Sequence, residues 1–165
     1  MQKETYERIF KEIQSRKNGI LLLRIMGRGL TYITAFCYVA AVAVSFLVFS
    51  YQEGTICILV PAVSFLAVSV FRKGINAERP YEKYSFKPLI EKDTKGKSFP
   101  SRHVFSIFVI GSTLAWLYPV VGIVVCLMGC ILAAIRVLSG VHFPKDVVAG
   151  GVIGIACGCL AGFFL

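Results

Sequence analysis

The chain has 165 residues, of which 56% are hydrophobic and only 16% are charged, and its mean hydropathy is +0.73. A soluble domain of this length does not have such a composition, so a soluble protein is excluded. The formal net charge is +9. In a membrane protein, clustered cations meet anionic headgroups and substrates, so this charge does not indicate a nucleic acid partner.

The first 29 residues are predicted to lie along the membrane surface. Residues 1–18 alternate charged side chains with apolar ones such as Tyr6 and Phe10, and this spacing is typical of an amphipathic interfacial helix. Residues 19–29 are apolar but interrupted by two arginines, so we expect this segment to follow the interface as well.

Five long apolar runs follow, and about 20 helical residues span the hydrocarbon core of a bilayer. The runs comprise residues 30–51, 55–71, 104–118, 120–138 and 147–165. We therefore predict an all-α fold, an integral membrane helical bundle with about five transmembrane helices and an N-terminal amphipathic interfacial helix. The chain forms a single membrane domain, 1–165, with an interfacial segment 1–29 and a transmembrane core 30–165. A tight turn at 52–54 is expected between the first two spans.

Five spans place three polar regions on one side of the membrane, namely residues 1–29, 72–103 and 136–146. All 18 lysines and arginines fall in these regions, so the opposite side has none. The positive-inside rule then predicts that the shared side is cytoplasmic. The expected location is the cell membrane, as a multi-pass protein whose site lies on the same side as the N-terminus.

Three segments on this side carry side chains suited to binding a phosphoryl group. They read RKGINAERP at 72–80, SFPSRH at 98–103 and RVLSGVHFPKD at 136–146. Arginine offers a planar fork of donors that matches phosphate oxygens, so Arg79 and Arg136 are the expected clamps. Arg72 or Lys73 would supply a third cation.

The start of the third span is expected to add an anion site. Proline suits the first position of a helix, so Pro100 is predicted to begin this span. The exposed N–H groups of a first helical turn, together with the helix dipole, attract an anion. Ser101 can add a hydroxyl donor.

The chain has only two histidines, and their surroundings indicate separate roles. One imidazole must be neutral to attack phosphorus, and the other must be protonated to give a proton to the leaving oxygen. Asp146, four residues after His142, can hold one ring N–H of His142 and aim the other nitrogen. His142 is therefore the predicted nucleophile. His103 lies among cations, with no acid nearby in sequence, and is the predicted general acid.

These segments resemble the motifs of the phosphatidic acid phosphatase type 2 family, which is related to the vanadium haloperoxidases and glucose-6-phosphatase. The family pattern reads K-x6-R-P, P-S-G-H and S-R-x5-H-x3-D, and the resemblance covers about residues 72–150. It implies a membrane lipid phosphatase that uses no metal or other cofactor and forms a phosphohistidine at His142, supported by Asp146. It also implies that His103 protonates the leaving group. The implied phosphate-binding residues are Arg72 or Lys73, Arg79, Ser101, Arg102 and Arg136.

Three positions depart from the family pattern. Arg72 stands at the lysine position, with Lys73 one residue later, so the two share that assignment. Arg102 replaces the glycine of P-S-G-H, which adds bulk and charge but keeps the backbone N–H. Ile135 replaces the serine before the third-motif arginine, which removes one hydroxyl contact. None of these changes removes a chemical role.

The expected partners are the bilayer and a lipid phosphate or diphosphate that approaches sideways from it. Undecaprenyl diphosphate, phosphatidylglycerol phosphate and phosphatidic acid all fit, and the sequence does not choose among them or predict an oligomeric state. Two alternatives stay open: a non-catalytic membrane protein that binds anionic lipid, and a lipid phosphotransferase. The family's bacterial enzymes usually face outward, which conflicts with the charge count.

Two further patterns have a structural interpretation. The loop lysines are interpreted as a solvated or lipid-facing surface whose charge is moderated by acidic residues, Asp93 among them. These lysines are Lys83, Lys87, Lys92, Lys95 and Lys97. Small residues spaced four apart at 150–158 predict close packing between helices of the same chain.

Overall fold

A computed structural model describes residues 1–92 and 94–165 of the protein, so Asp93 lies outside the described residues. The described chain is all-helical and closes with a 3₁₀ turn at Leu160–Phe163. The α-helices are α1 Lys3–Ser15, α2 Gly19–Val48, α3 Tyr51–Ile75, α4 Pro80–Lys83, α5 Arg102–Leu114, α6 Pro119–Leu138 and α7 Pro144–Cys159. The predicted all-α membrane bundle is confirmed.

Helix α5 lies at the centre of the bundle. The segments that contain α2, α3, α6 and α7 are long and apolar enough to span a membrane. Helix α5 is also apolar but has only 13 residues. At ~1.5 Å per residue it is about 20 Å long, shorter than a hydrocarbon core of about 30 Å. It packs against all four of the longer helices. Because these neighbours cover it, α5 does not need the length that a lipid-facing helix requires.

Helix α2 begins well before the predicted first span. It runs without a break over Gly19–Val48, so the expected division at residue 29 is absent and Leu30 lies inside the helix. No proline interrupts α2, and its two internal glycines, Gly27 and Gly29, do not stop the helix. A 30-residue helix is ~45 Å long and exceeds the hydrocarbon core. Arg24 and Arg28 therefore belong to turns that extend into the polar region.

The turn between the first two spans lies earlier than predicted. Residues 52–54 are already helical, and the chain reverses at Phe49 and Ser50. Ser50 is the N-cap of α3, and its side chain accepts a hydrogen bond from the Glu53 backbone N–H at 3.2 Å. Serine is a favoured N-cap, so this side chain decides where α3 begins.

Helix α1 is amphipathic, and its apolar face is covered by the protein itself. Tyr6 and Phe10 are buried in a cluster with Leu89 of the long loop. Partly buried aromatic side chains complete the cluster, namely Tyr84, Phe86 and Phe143. The α1 helix therefore docks across the loop and the approach to α7.

Close packing between α5 and α7 brings two polar segments together. A side-chain carbon added at Gly150 or Gly154 would lie 2.7 Å from the carbonyl oxygen of Ser101 or Phe105, respectively. The predicted packing of small residues within the chain is thus observed. It places Asp146, at the start of α7, so that its carbonyl accepts the Ser101 N–H at 2.8 Å.

Candidate active site

A cavity of about 390 Å³ lies where the three polar segments meet. Both histidines line it, His103 from the first turn of α5 and His142 from the turn before α7. Seven lining side chains are cationic, namely Arg72, Lys73, Arg79, Lys92, Lys95, Lys97 and Arg102. No carboxylate lines the cavity in the described part of the chain. The cavity is therefore suited to an anion.

The turn between α6 and α7 fixes the backbone of His142. The Arg136 carbonyl oxygen accepts the N–H groups of Val141 and His142, both at 3.2 Å. Gly140 has φ +73°, a left-handed conformation that glycine adopts readily and that lets the chain turn here. The end of α6 thus positions His142 in the cavity wall, where the residue is almost fully buried.

Asp146 combines a helix-capping role with an orienting one. It occupies the third position of α7, where its Oδ2 accepts the Phe143 backbone N–H at 3.0 Å. The same oxygen lies 3.6 Å from His142 Nδ1. The spacing H-x3-D has this effect because Pro144 begins the helix and puts the carboxylate back over the preceding residues.

Ser98 is a site residue that the sequence did not reveal. Its hydroxyl donates to Asp146 Oδ2 at 2.5 Å and lies 3.4 Å from His142 Nδ1. The side chain is fully buried. Its position at the start of the segment SFPSRH was the only available signal, and it says nothing about a contact 48 residues away.

Arg79 stands against the outward nitrogen of His142. Its Nη1 lies 3.4 Å from His142 Nε2, and the same guanidinium donates to the carbonyl oxygens of Gly96 at 2.9 Å and Val141 at 3.2 Å. Glu82 holds this arrangement, because its carboxylate accepts the backbone N–H groups of Arg79 and Gly96, both at 2.9 Å. A donor beside Nε2 and a carboxylate beside Nδ1 together favour the tautomer with the proton on Nδ1.

The buried environment keeps His142 neutral. Burial lowers the pKa of His142 to about 4, and the positive charge of Arg79 acts in the same direction, whereas Asp146 opposes it. Since the neutral form prevails above that pKa, Nε2 carries an unprotonated lone pair at neutral pH.

The low pKa of His142 can be tested by NMR. With only two histidines in the chain, a His103→Gln variant prepared without a polyhistidine tag has one imidazole signal. We expect NMR of labelled histidine to give a midpoint near the value of about 4 for His142, neutral above it and charged below it. A midpoint near the ordinary value of about 6.5 would contradict this environment.

Arg72 and Lys73 both line the cavity but are held differently. Arg72 is buried in the last turn of α3, and its guanidinium donates to the carbonyl oxygens of Lys97 and Pro100. Lys73 is exposed. Arg72 thus ties the long loop to α3 and presents a fixed charge, whereas Lys73 makes no hydrogen bond or ion pair with the described residues.

Arg136 stands beside His103 rather than in the cavity wall. Burial and the positive charges of Arg136 and Lys92 lower the pKa of His103 to about 3, so its imidazole holds a proton only when a bound phosphate offsets these charges. Arg136 is partly buried, and its Nε has no hydrogen-bond partner among the described residues. Because Arg136 does not line the cavity, its predicted role in binding phosphate stays a prediction.

The start of α5 differs from the prediction. The helix begins at Arg102 with Ser101 as its N-cap, so Pro100 lies outside it. Ser101 has extended backbone, and its N–H is committed to the Asp146 carbonyl instead of an anion. Its Oγ is buried behind the wall and has no partner in the described part of the chain.

Three loop lysines contribute to the cavity wall, which the sequence did not predict. Lys92, Lys95 and Lys97 line the cavity, and Lys95 and Lys97 are exposed to solvent as predicted, whereas Lys92 is half-buried. The loop folds back over the site because Glu82 and Arg79 bind its backbone at Gly96. Burial and the neighbouring arginines lower the pKa of Lys92 to about 8, which shows how concentrated the positive charge is.

Arg102 lies between the polar cavity and an apolar pocket. Its guanidinium carbon is 5.4 Å from the centre of the Phe65 ring, within cation–π range. Arg102 and His103 line both the cavity and the neighbouring pocket, which is bounded by α2, α3 and α5. The replacement of glycine at this position therefore puts a cation at the mouth of the cavity.

Known proteins share this architecture. The PAP2 superfamily matches residues 53–162 of the chain. The crystal structure of the first transmembrane PAP2 type phosphatidylglycerolphosphate phosphatase from Bacillus subtilis has a TM-score of 0.74 and 25% identity, covering 98% of this chain and 84% of that one. The crystal structure of Aquifex aeolicus LpxE has a TM-score of 0.72 and 22% identity, covering 98% and 94%. No curated protein sequence matches significantly.

Proposed function

The chain belongs to the PAP2 superfamily and has the fold of its membrane lipid phosphatases, and on this basis we propose that it hydrolyses a lipid phosphate or diphosphate through a phosphohistidine at His142. One observation carries the proposal. A neutral imidazole, held by Asp146 on one side, turns its other nitrogen toward a cavity lined by cations. Binding alone would need the cations but not the pairing of His142 with Asp146.

The reaction has two steps with His103 in both. Nε2 of His142 attacks phosphorus, the P–O bond to the lipid breaks, and the leaving oxygen takes a proton from His103. Water then attacks the phosphohistidine and gives a proton to the now neutral His103, while the P–N bond breaks and releases inorganic phosphate. Arg79, beside Nε2, stabilises the charge on the phosphoryl oxygens in both steps.

Cationic side chains take the place of a metal in this proposal. No group of three or more His, Cys, Asp or Glu side chains is placed to hold a metal ion within residues 1–92 and 94–165. The charge that a metal would supply comes from the guanidinium and ammonium groups of the cavity wall.

A panel of lipids tests the function. Undecaprenyl diphosphate, phosphatidylglycerol phosphate and phosphatidic acid would be given in detergent micelles to the wild type, with and without EDTA, and released phosphate measured. We expect EDTA-resistant release from at least one lipid and inhibition by vanadate, which mimics the five-coordinate transition state. Strict dependence on magnesium would contradict the proposal. Lipid binding without release would favour a binding protein, and a phosphorylated acceptor would favour a phosphotransferase.

Arg102 is proposed to bind the substrate where its head group meets its tail. Replacing Arg102 by glycine, the residue of the family pattern, should raise KM by about tenfold with little change in kcat, because it removes a charged contact made equally before and during reaction. Lys145→Ala is the matched control, since its ammonium lies over the Phe143 ring outside the cavity. An unchanged KM in the Arg102 variant, or an equal rise in the control, would refute the role.

The sidedness of the site is proposed from the charge count as cytoplasmic. A cysteine at Lys87, whose side chain is 82% exposed, would be introduced after replacing the six native cysteines. We expect an impermeant thiol reagent to label it only after cells are permeabilised. Labelling of intact cells would place the site outside.

A further inference from the structure

We infer that Tyr6, in the N-terminal helix α1, is a positioning residue that holds the backbone of His142. Its hydroxyl donates to the His142 carbonyl oxygen at 3.3 Å, a contact between residues 136 positions apart. Tyr6 has no exposed surface. The inference rests on the proposed function and adds a residue outside all three motifs.

The contact completes the anchoring of the nucleophile. The His142 N–H donates to the Arg136 carbonyl oxygen at 3.2 Å, and the carbonyl receives Tyr6. The ring is held separately, at Nδ1 by Asp146 and Ser98. A buried polar group costs free energy unless it has a partner, so the phenol and the carbonyl constrain each other. Burial also raises the pKa of Tyr6, so the hydroxyl remains a donor.

The rest of α1 keeps Tyr6 in place. The Tyr6 ring centre lies 5.3 Å from that of Phe86, and the Phe10 and Phe86 centres are 5.1 Å apart. Phe10 also covers the turn before His142, since a side-chain carbon at Gly140 would lie 2.6 Å from Phe10 Cζ. Helix α1 thus packs against the turn that contains His142 and holds it in place.

Tyr6→Phe removes the hydroxyl and keeps the ring. Tyr84→Phe is the matched control, because the Tyr84 hydroxyl belongs to the same aromatic cluster but donates to the Met1 carbonyl at 3.1 Å. Small misplacements of a reacting group have large kinetic effects, so the hydrolysis rate constant of Tyr6→Phe should fall by about ten- to a hundredfold. KM should not change, and Tyr84→Phe should behave as the wild type.

Single-turnover assays separate positioning from folding. With saturating enzyme over the lipid that the wild type hydrolyses fastest in the panel, the rate constant reports on correctly folded molecules alone. A loss of folded protein would change only the enzyme concentration needed to reach saturation. Equal rate constants for wild type and Tyr6→Phe would overturn this inference alone. No hydrolysis by the wild type would overturn both this inference and the proposed function.

Discussion

Replacing His142 by glutamine is expected to lower the rate constant of lipid phosphate hydrolysis by at least about 10³-fold, because it removes the atom that we propose attacks phosphorus. Glutamine is polar and of similar size, so the buried site keeps its shape. Initial rates of phosphate release under saturating lipid, measured in detergent, check the effect.

His103→Gln is the matched control for this variant, since both histidines line the same cavity. It should lose most activity on a lipid, whose leaving oxygen needs a proton, and much less on p-nitrophenyl phosphate, whose leaving group does not. His142→Gln should lose both activities alike. Substantial hydrolysis by the His142 variant would remove it as the nucleophile.

Asp146→Asn is expected to lower kcat by on the order of 10²- to 10⁴-fold, because an amide can stabilise the wrong imidazole tautomer. Ser98→Ala should cost less, about tenfold, since it removes one hydrogen bond to Asp146 and leaves the carboxylate. The kcat values of purified variants of equal thermal stability check both.

Ser45→Ala controls for the loss of a fully buried serine hydroxyl outside the site. Its hydroxyl donates to the Ala41 carbonyl oxygen at 2.8 Å, within α2, and does not touch the His142 and Asp146 pair. We expect its kcat to stay within about twofold of the wild type. A Ser98 variant no slower than the Ser45 variant would show that Ser98 does not act through Asp146.

The parts of the site that were predictable depend on local spacing. The pairing of His142 with Asp146 follows from four residues at a helix start, where Pro144 fixes the first position. The convergence of the polar segments on one side follows from the hydropathy of the runs between them. The same local rules predict the helical bundle. They do not predict that α2 begins at Gly19, because the two arginines and two glycines within residues 24–29 resemble an interruption.

The remaining parts depend on long-range contacts through irregular chain. Ser98 meets Asp146, and Tyr6 meets His142, only because the loop and α1 fold back over the site. Neither contact produces a periodic pattern in the sequence. The position of Lys92 in the cavity wall is unpredictable for the same reason. A lysine in a polar loop has the same sequence pattern whether it faces water or a cavity.

Trapping the covalent intermediate tests directly whether His142 is the nucleophile. A lipid carrying ³²P in its terminal phosphoryl group would be mixed with enzyme, quenched in alkali within milliseconds, and the labelled peptide mapped by mass spectrometry. We expect a phosphoryl group on His142 that is stable in alkali and labile in acid, and that is absent from His142→Gln. A label on another residue, or complete turnover of the lipid with no labelled enzyme at any quench time, would contradict it.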